Sequence, residues 1–299
     1  MTSNPIPLFI NPAAARGRAS RRLSTIERLF EEAGIRIDIR RSVARGDMER
    51  QVQAVLDQGV EEIIVAGGDG SVHETVNGIM AAGRTGAFGL IPIGTGNDFA
   101  KAAGVSLDWE AATRLLADRL LSKSPPRRID VGRMNDRYFA NGAGIGFDAK
   151  VSRIAAEFKW PIGDFVYLVA VLRAIADGII TPDMKITTGE LSWEGPLTLA
   201  NISNGAWVGG MFHIAPMADN TDGRLDLVVA TPVTAYRILQ LLPKLIGGRH
   251  LDEPELFHAS VESLRISAAA PVLSHLDGEV QPMQSSFDIE IIPGALRLI

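Results

Sequence analysis

The chain has no cysteine, so it can carry no disulfide framework, no thiolate nucleophile and no zinc–cysteine site. Redox chemistry therefore leaves its compartment open. Nor is there a basic excess: 30 Lys and Arg stand against 35 Asp and Glu, a net charge of −5. A nucleic-acid partner calls for a basic face, so none is expected. No run reaches the roughly 18 apolar residues of a membrane span. The nearest approach, Phe165 to Ile180, is interrupted by Arg173 and Asp177. The start of the chain lacks the basic-then-apolar layout of a signal peptide. The expectation is a cytoplasmic protein without a transmembrane segment, whose contact with membrane is at most peripheral, at the inner face. Two nucleotide signatures are also missing. There is no P-loop pattern. Gly68-x-Gly70 and Gly94-x-Gly96 have His73 and Phe99 where the dinucleotide pattern needs its third glycine.

What is present fits two domains. A length of 299 residues exceeds one typical domain, and 46% hydrophobic residues can fill two cores. Residues 1–126 alternate short apolar runs with helical spacing. Strands are expected over Pro7–Ile10, Ile35–Arg41, Glu62–Ala66 and Gly89–Ile93. Helices are expected over Arg22–Ala33, Asp47–Gln58 and Val72–Ala82. This rhythm implies a parallel sheet covered by helices. The polar, proline-bearing Ser122–Arg128 stretch marks the boundary. Residues 127–299 are read as a mainly antiparallel β domain, from runs such as Ile129–Met134, Met184–Thr188, Leu225–Val229 and Phe287–Ile292. Helical interruptions fall near Ala149–Glu157, Asp164–Asp177 and Val233–Ile246. Whether Pro293–Ile299 returns to the first domain is left open.

Within the first domain an apolar run, Ile63 to Ala66, stops in Gly67-Gly68-Asp69-Gly70-Ser71. A glycine turn that opens a helix presents unpaired N–H groups and the positive end of a dipole, which suits phosphate. A ligand-free βα turn is the competing reading. Asn11–Arg18 and Ile93–Lys101 repeat the theme after two other strands. Turns after parallel strands line one crevice. Together, Arg16, Asp69, Thr95, Asn97 and Asp98 make a polar pocket able to hold a polyphosphate with Mg²⁺.

Five stretches then carry a resemblance. Asn11–Gly17, Gly67–Gly78 and Pro92–Lys101 resemble the catalytic domain of the diacylglycerol kinase, sphingosine kinase and bacterial lipid kinase family, whose distant relatives are NAD kinase and phosphofructokinase. Gly209–Pro216 with Asp219–Leu227, and His275-Leu276-Asp277-Gly278-Glu279, resemble the later motifs of the same family, in order along the chain. Departures are Ala15 and Arg16, where the family has glycine and lysine, Ser71 for threonine, and Gly96 for alanine or serine. The resemblance implies an α/β domain of NAD kinase and phosphofructokinase type, a β domain, and an active site in the cleft between them. It also implies that Asn11, Arg16, Ser42, Gly67, Gly68, Asp69, Gly70, Ser71, Glu74, Thr95 and Asn97 contact nucleotide. Glu279 is implied as general base, with Asp277 and Asp69 in the catalytic polar network. Asp98 is implied to hold Mg²⁺ through water, while Asp219, Asp222 and Arg224 match a second, structural magnesium site. Asp277 and Glu279 are expected to face alike, two apart in an extended stretch.

Trp207, Val208, Met211 and Phe212 form an apolar cluster, read mainly as core with one or two residues facing lipid. His73, His213 and His275 are read as structural. The implied activity is ATP- and Mg²⁺-dependent phosphorylation of a hydroxyl on diacylglycerol or a related lipid presented at a membrane surface. A soluble-alcohol or NAD-like acceptor and a non-catalytic nucleotide-binding regulator stay open, as does a homodimer.

Overall fold

A computed structural model of the chain describes residues 4–12, 18–83, 86–158, 165–189 and 192–299. The chain forms two compact units, Met1–Ile129 with Gly294–Ile299, and Asp130–Pro293.

The first unit runs β1 (Ile6–Ile10), α1 (Arg18–Glu32), β2 (Ile37–Arg41), α2 (Asp47–Asp57), β3 (Glu62–Gly67), α3 (Asp69–Ala82), β4 (Ala87–Pro92), α4 (Asp98–Ala102) and α5 (Trp109–Ser122). Strand order is β2-β1-β3-β4, all parallel. β1 and β4 are buried along their whole length, as continuous apolar runs must be when both sheet faces are covered. Leu23, Ile26 and Phe30 of α1 pack on Leu8, Ile10, Ile64 and Ile91. The last residues of the chain extend this sheet, with Arg297 and Leu298 paired parallel to Ala87 and Phe88.

Two features depart from expectation. Helix α3 starts at Asp69 rather than Val72, because Gly68 serves as an extended N-cap (φ −110°, ψ −162°) and a carboxylate in the first turn suits the helix dipole. Helix α5 was not anticipated at all, although Asp108 caps it by accepting from the Glu110 and Ala111 amides.

The second unit completes β5 (Arg127–Met134) and continues β6 (Arg137–Phe139), β7 (Gly142–Gly146), α6 (Phe147–Glu157), α7 (Phe165–Ala176), β8 (Asp183–Thr188), β9 (Ser192–Pro196), β10 (Leu199–Ser203), β11 (Leu225–Ala230), α8 (Ala235–Ile246), β12 (Leu256–Val261), β13 (Ser263–Leu276) and β14 (Glu279–Leu298). β12, β11, β10, β7, β13 and β14 pair successively and antiparallel. Sheet residues such as Ile145, Ile202, Leu227, Ile266 and Phe287 make one core. A second core lies among α6, α7 and α8, around Phe147, Ala170, Val171, Phe212 and Leu242. No helix among the described residues is long and apolar enough to cross a membrane.

Candidate active site

In the first unit, parallel pairing brings the ends of four strands to one edge. Asn11 follows β1, Ser42 follows β2, Gly67-Gly68 end β3, and Gly94–Asn97 follow β4. The Ser42 amide donates to the Ile10 carbonyl (3.0 Å), which ties the β1 and β2 ends together. Ligands of open parallel sheets bind at this edge.

The glycines there are required by space. A Cβ on Gly68 would lie 2.8 Å from Gly94 Cα, and one on Gly94 would lie 2.4 Å from Gly68 Cα. A Cβ on Gly67 would collide with the Ser71 side chain at 2.2 Å. The two turns therefore touch backbone to backbone. Asn97 adopts φ 51°. Its amide oxygen accepts from Gly94 N–H (3.1 Å) and its amide nitrogen donates to Gly94 C=O (3.2 Å). Asn97 thus shapes its own turn. Phe99 N–H donates to Asp69 Oδ1 (3.1 Å), joining the start of α4 to the start of α3. Asp98 pairs with Lys101 at 3.2 Å, both largely buried. Thr95 is exposed at the tip of its turn, and Ser71 is buried in the first turn of α3.

Glu74, expected at the nucleotide, makes two backbone contacts within the protein. Its two oxygens accept from the Gly46 and Met48 amides at 2.9 and 3.0 Å. The side chain closes the N-terminus of α2, whose cap residue Gly46 offers no side chain of its own. Arg16 and most of the Asn11–Gly17 motif lie outside the described residues.

In the second unit, Asp277 and Gly278 form a two-residue hairpin turn between β13 and β14, both with positive φ (52° and 87°). This corrects the expected extended geometry: the two carboxylates do not project alike from a strand. The aspartate-glycine pair is the residue choice such a tight turn needs. Asp277 Oδ1 accepts from the Asn141 and Gly142 amides (2.8 and 3.0 Å), and Oδ2 from the Ala140 amide (3.0 Å). Asp277 is therefore a clamp that fixes the turn, and Glu279, half-buried, follows on the first residue of β14.

Behind the turn lies a buried polar chain that the sequence did not reveal. Gly278 N–H donates to His275 Nδ1 (3.2 Å). His275 Nε2 lies 3.2 Å from Asp148 Oδ2, off the line of a straight hydrogen bond. Asn201 donates to the same Asp148 oxygen (3.0 Å), and Ser203 Oγ donates to Asn201 (2.6 Å). A Cβ on Gly144 would fall 2.3 Å from both Asp148 Oδ2 and His275 Nε2. Burial alone would raise the Asp148 carboxyl, but the His275 ring and the Asn201 amide outweigh it and hold it below the ordinary range.

Asp148 also forms part of the wall of an apolar cavity of about 110 Å³, which includes Tyr167, Val208, Phe212 and Leu242 from α7, α8 and the segment before β11. Val208 and Phe212, from the expected apolar cluster, thus reach this cavity. His250 lines it too, its Nε2 on the Ile214 carbonyl (2.9 Å), its basicity lowered by burial.

The Asp219–Asp226 loop folds on itself. Asp219 Oδ1 accepts from Thr221 N–H and O–H (3.0 and 2.7 Å), and Asp222 Oδ1 from Arg224 N–H (2.9 Å). Burial first, and the charge of Asp222 second, push the Asp226 carboxyl up to about 6. Among the described residues no three His, Asp or Glu side chains are grouped to hold a metal ion.

With this geometry in hand, known proteins were compared. Residues 5–134 match the family model described as the diacylglycerol kinase catalytic domain. Residues 142–299 match the YegS C-terminal NAD kinase beta sandwich-like domain. The chain is 32% identical over 297 residues to the "Probable lipid kinase YegS" of Salmonella newport, covering 97% of this chain and 94% of that protein. It is 31% identical over 269 residues to the "Probable lipid kinase YegS-like" of Pseudomonas aeruginosa, covering 89% and 85%. A crystal structure of a diacylglycerol kinase from Bacillus anthracis covers all of this chain and 97% of its own, at 25% identity with a TM-score of 0.76.

Proposed function

The chain belongs to the YegS-like family of lipid kinases, with their diacylglycerol kinase catalytic domain, and from that premise we propose that it transfers the γ-phosphate of ATP to a hydroxyl of diacylglycerol or a related lipid, using Mg²⁺. The single observation that carries a lipid acceptor is the apolar cavity of about 110 Å³ in the second unit, the same unit that holds the Glu279 turn. A soluble alcohol needs no such lining.

The chain's own residues divide the work. The first-turn amides of α3 receive phosphate oxygens. Asp69 and Asp98 would hold Mg²⁺, with Lys101, paired to Asp98, adding positive charge beside them. When bound, Mg²⁺ neutralises charge on the phosphates during transfer. Arg16 takes the place of the family lysine near the same phosphates. Glu279 accepts the proton of the attacking hydroxyl, and Asp277 keeps its turn in place. A second, structural Mg²⁺ would be held by the Asp222 carboxylate with the backbone oxygens of Asp219 and Arg224. The lipid enters from a membrane surface to which the protein binds peripherally.

The test is transfer of labelled γ-phosphate in mixed micelles containing a panel of lipids with Mg²⁺. Wild type is expected to label a lipid, and Glu279→Gln to label none while still binding ATP. Labelling of a soluble alcohol alone would sink the lipid reading. ATP binding without any transfer would favour a regulator.

A further inference from the structure

The reaction outlined above uses Glu279 and Asp277 but leaves the buried chain behind them without a task. We propose that His275, oriented by Asp148, is a positioning residue that fixes Glu279 through the Gly278 amide. The inference rests on the reading of Glu279 as the base.

The hydrogen bonds define the ring. Nδ1 accepts from Gly278 N–H at 3.2 Å, so it carries a lone pair. The ring proton then sits on Nε2, facing Asp148 Oδ2 at 3.2 Å. A buried carboxylate that selects one tautomer also sets the angle of the ring. Asp148 is itself held by Asn201, and Asn201 by Ser203. The chain thus begins on β10, passes through α6 and β13, and ends on the amide directly before Glu279.

Two physical arguments separate placement from filling. A buried imidazole and carboxylate are costlier to desolvate than an apolar pair of the same volume, which would fill the space with less penalty. Polar contacts in an interior favour one arrangement of the groups they touch. Room for this one has been cleared: any side chain at Gly144 would meet Asp148 Oδ2 and His275 Nε2 at 2.3 Å. The Asp277 clamp holds the turn on one side through Ala140, Asn141 and Gly142. His275 holds it on the other, and with both in place the Asp277–Gly278 peptide, one residue before Glu279, has one orientation.

The amide side chains separate the two ring nitrogens. The oxygen of an asparagine at 275 can stand near the position of Nδ1 and accept from Gly278. The amide of a glutamine there reaches toward the position of Nε2 and Asp148, leaving Gly278 without its acceptor. His275→Gln and His275→Asn are therefore compared with wild type and Glu279→Gln in lipid phosphorylation, with hydrogen exchange at the Gly278 amide as a readout independent of activity. His275→Gln should lower kcat on the order of 10- to 100-fold, as a small misplacement of a reacting group does. KM for ATP should stay unchanged, and Gly278 should lose its protection. His275→Asn should keep the protection and most of kcat. If both variants retain wild-type kcat, or lose it only in proportion to a fall in Tm, the inference is overturned. An active Glu279→Gln would overturn the base reading and the inference with it. An inactive Glu279→Gln beside a fully active His275→Gln would overturn the inference alone.

Discussion

The glycine turns of the first unit and the acidic turn of the second are both tight, and they are built on opposite principles. At Gly68 and Gly94 the chain works by what it omits. Backbone meets backbone so closely that neither residue can carry a Cβ. At Asp277-Gly278-Glu279 the chain works by what it adds. One carboxylate gathers three amides, one imidazole takes a fourth, and a second carboxylate, Glu279, follows at the start of β14. A site for an anion can be made from bare peptide, whereas a site for a proton needs a side chain and others to hold it still.

Four experiments break or sharpen this contrast, beginning with the largest effect. Glu279→Gln should cut phosphoryl transfer by about 10²–10⁴-fold, the usual worth of a general base. ATP affinity should stay unchanged by calorimetry, because the substitution removes only the proposed base. Asp277→Ala should strand the buried Ala140, Asn141 and Gly142 amides, at about 1–3 kcal/mol for each one left without a partner. A denaturant titration should show that loss together with a fall in kcat. Gly68→Ala should do the reverse. It forces a methyl against Gly94 Cα, costing roughly 1–3 kcal/mol and weakening ATP by about tenfold, while leaving the hydrogen exchange of the Gly278 amide untouched.

The smallest effect concerns Asp226. Its carboxyl is raised to about 6 in the folded chain, from 3.8. Ionised Asp226 therefore destabilises the fold, fully above about pH 6, and the penalty disappears as the pH falls through this window toward the unfolded value. In chelating buffer, Asp226→Asn should raise Tm by about 1–3 °C at pH ~7 and leave it unchanged at pH ~4. Added Mg²⁺ should narrow the difference at the higher pH.

The same contrast explains what could be read from residue order. Gly67-Gly68-Asp69-Gly70 announces itself because a glycine run after Ile63–Ala66 has a local cause, and β1, β3 and β4 read as continuous apolar runs between helices of 3.6 period. The acidic triplet was equally visible, but its supports were not. Asp148 lies on α6, Asn201 on β10 and Ala140 before β7, and only the antiparallel pairing of β10, β7 and β13 brings them together. Strand β7, Gly-Ala-Gly-Ile-Gly, has almost no β-propensity and exists because two neighbours pair with it. Strand β13 shows little regular alternation in its sequence beyond its first residues. Register shifts between Ser267 and Ser274 break its alternation, as bulges do. Glu74 and Asn97 were recognised as motif members, yet their hydrogen bonds to Gly46 and Gly94 depend on backbone geometry that spacing does not encode.

Gly144 has a consequence of a different kind. It carries no functional group. Viewed in the sequence, a change there to alanine is among the mildest available. In the folded chain it would drive a methyl between a carboxylate and an imidazole. In a genetic screen for loss of function, Gly144 should therefore return alleles as severe as those at Asp277, from a position that a search for active-site residues would pass over.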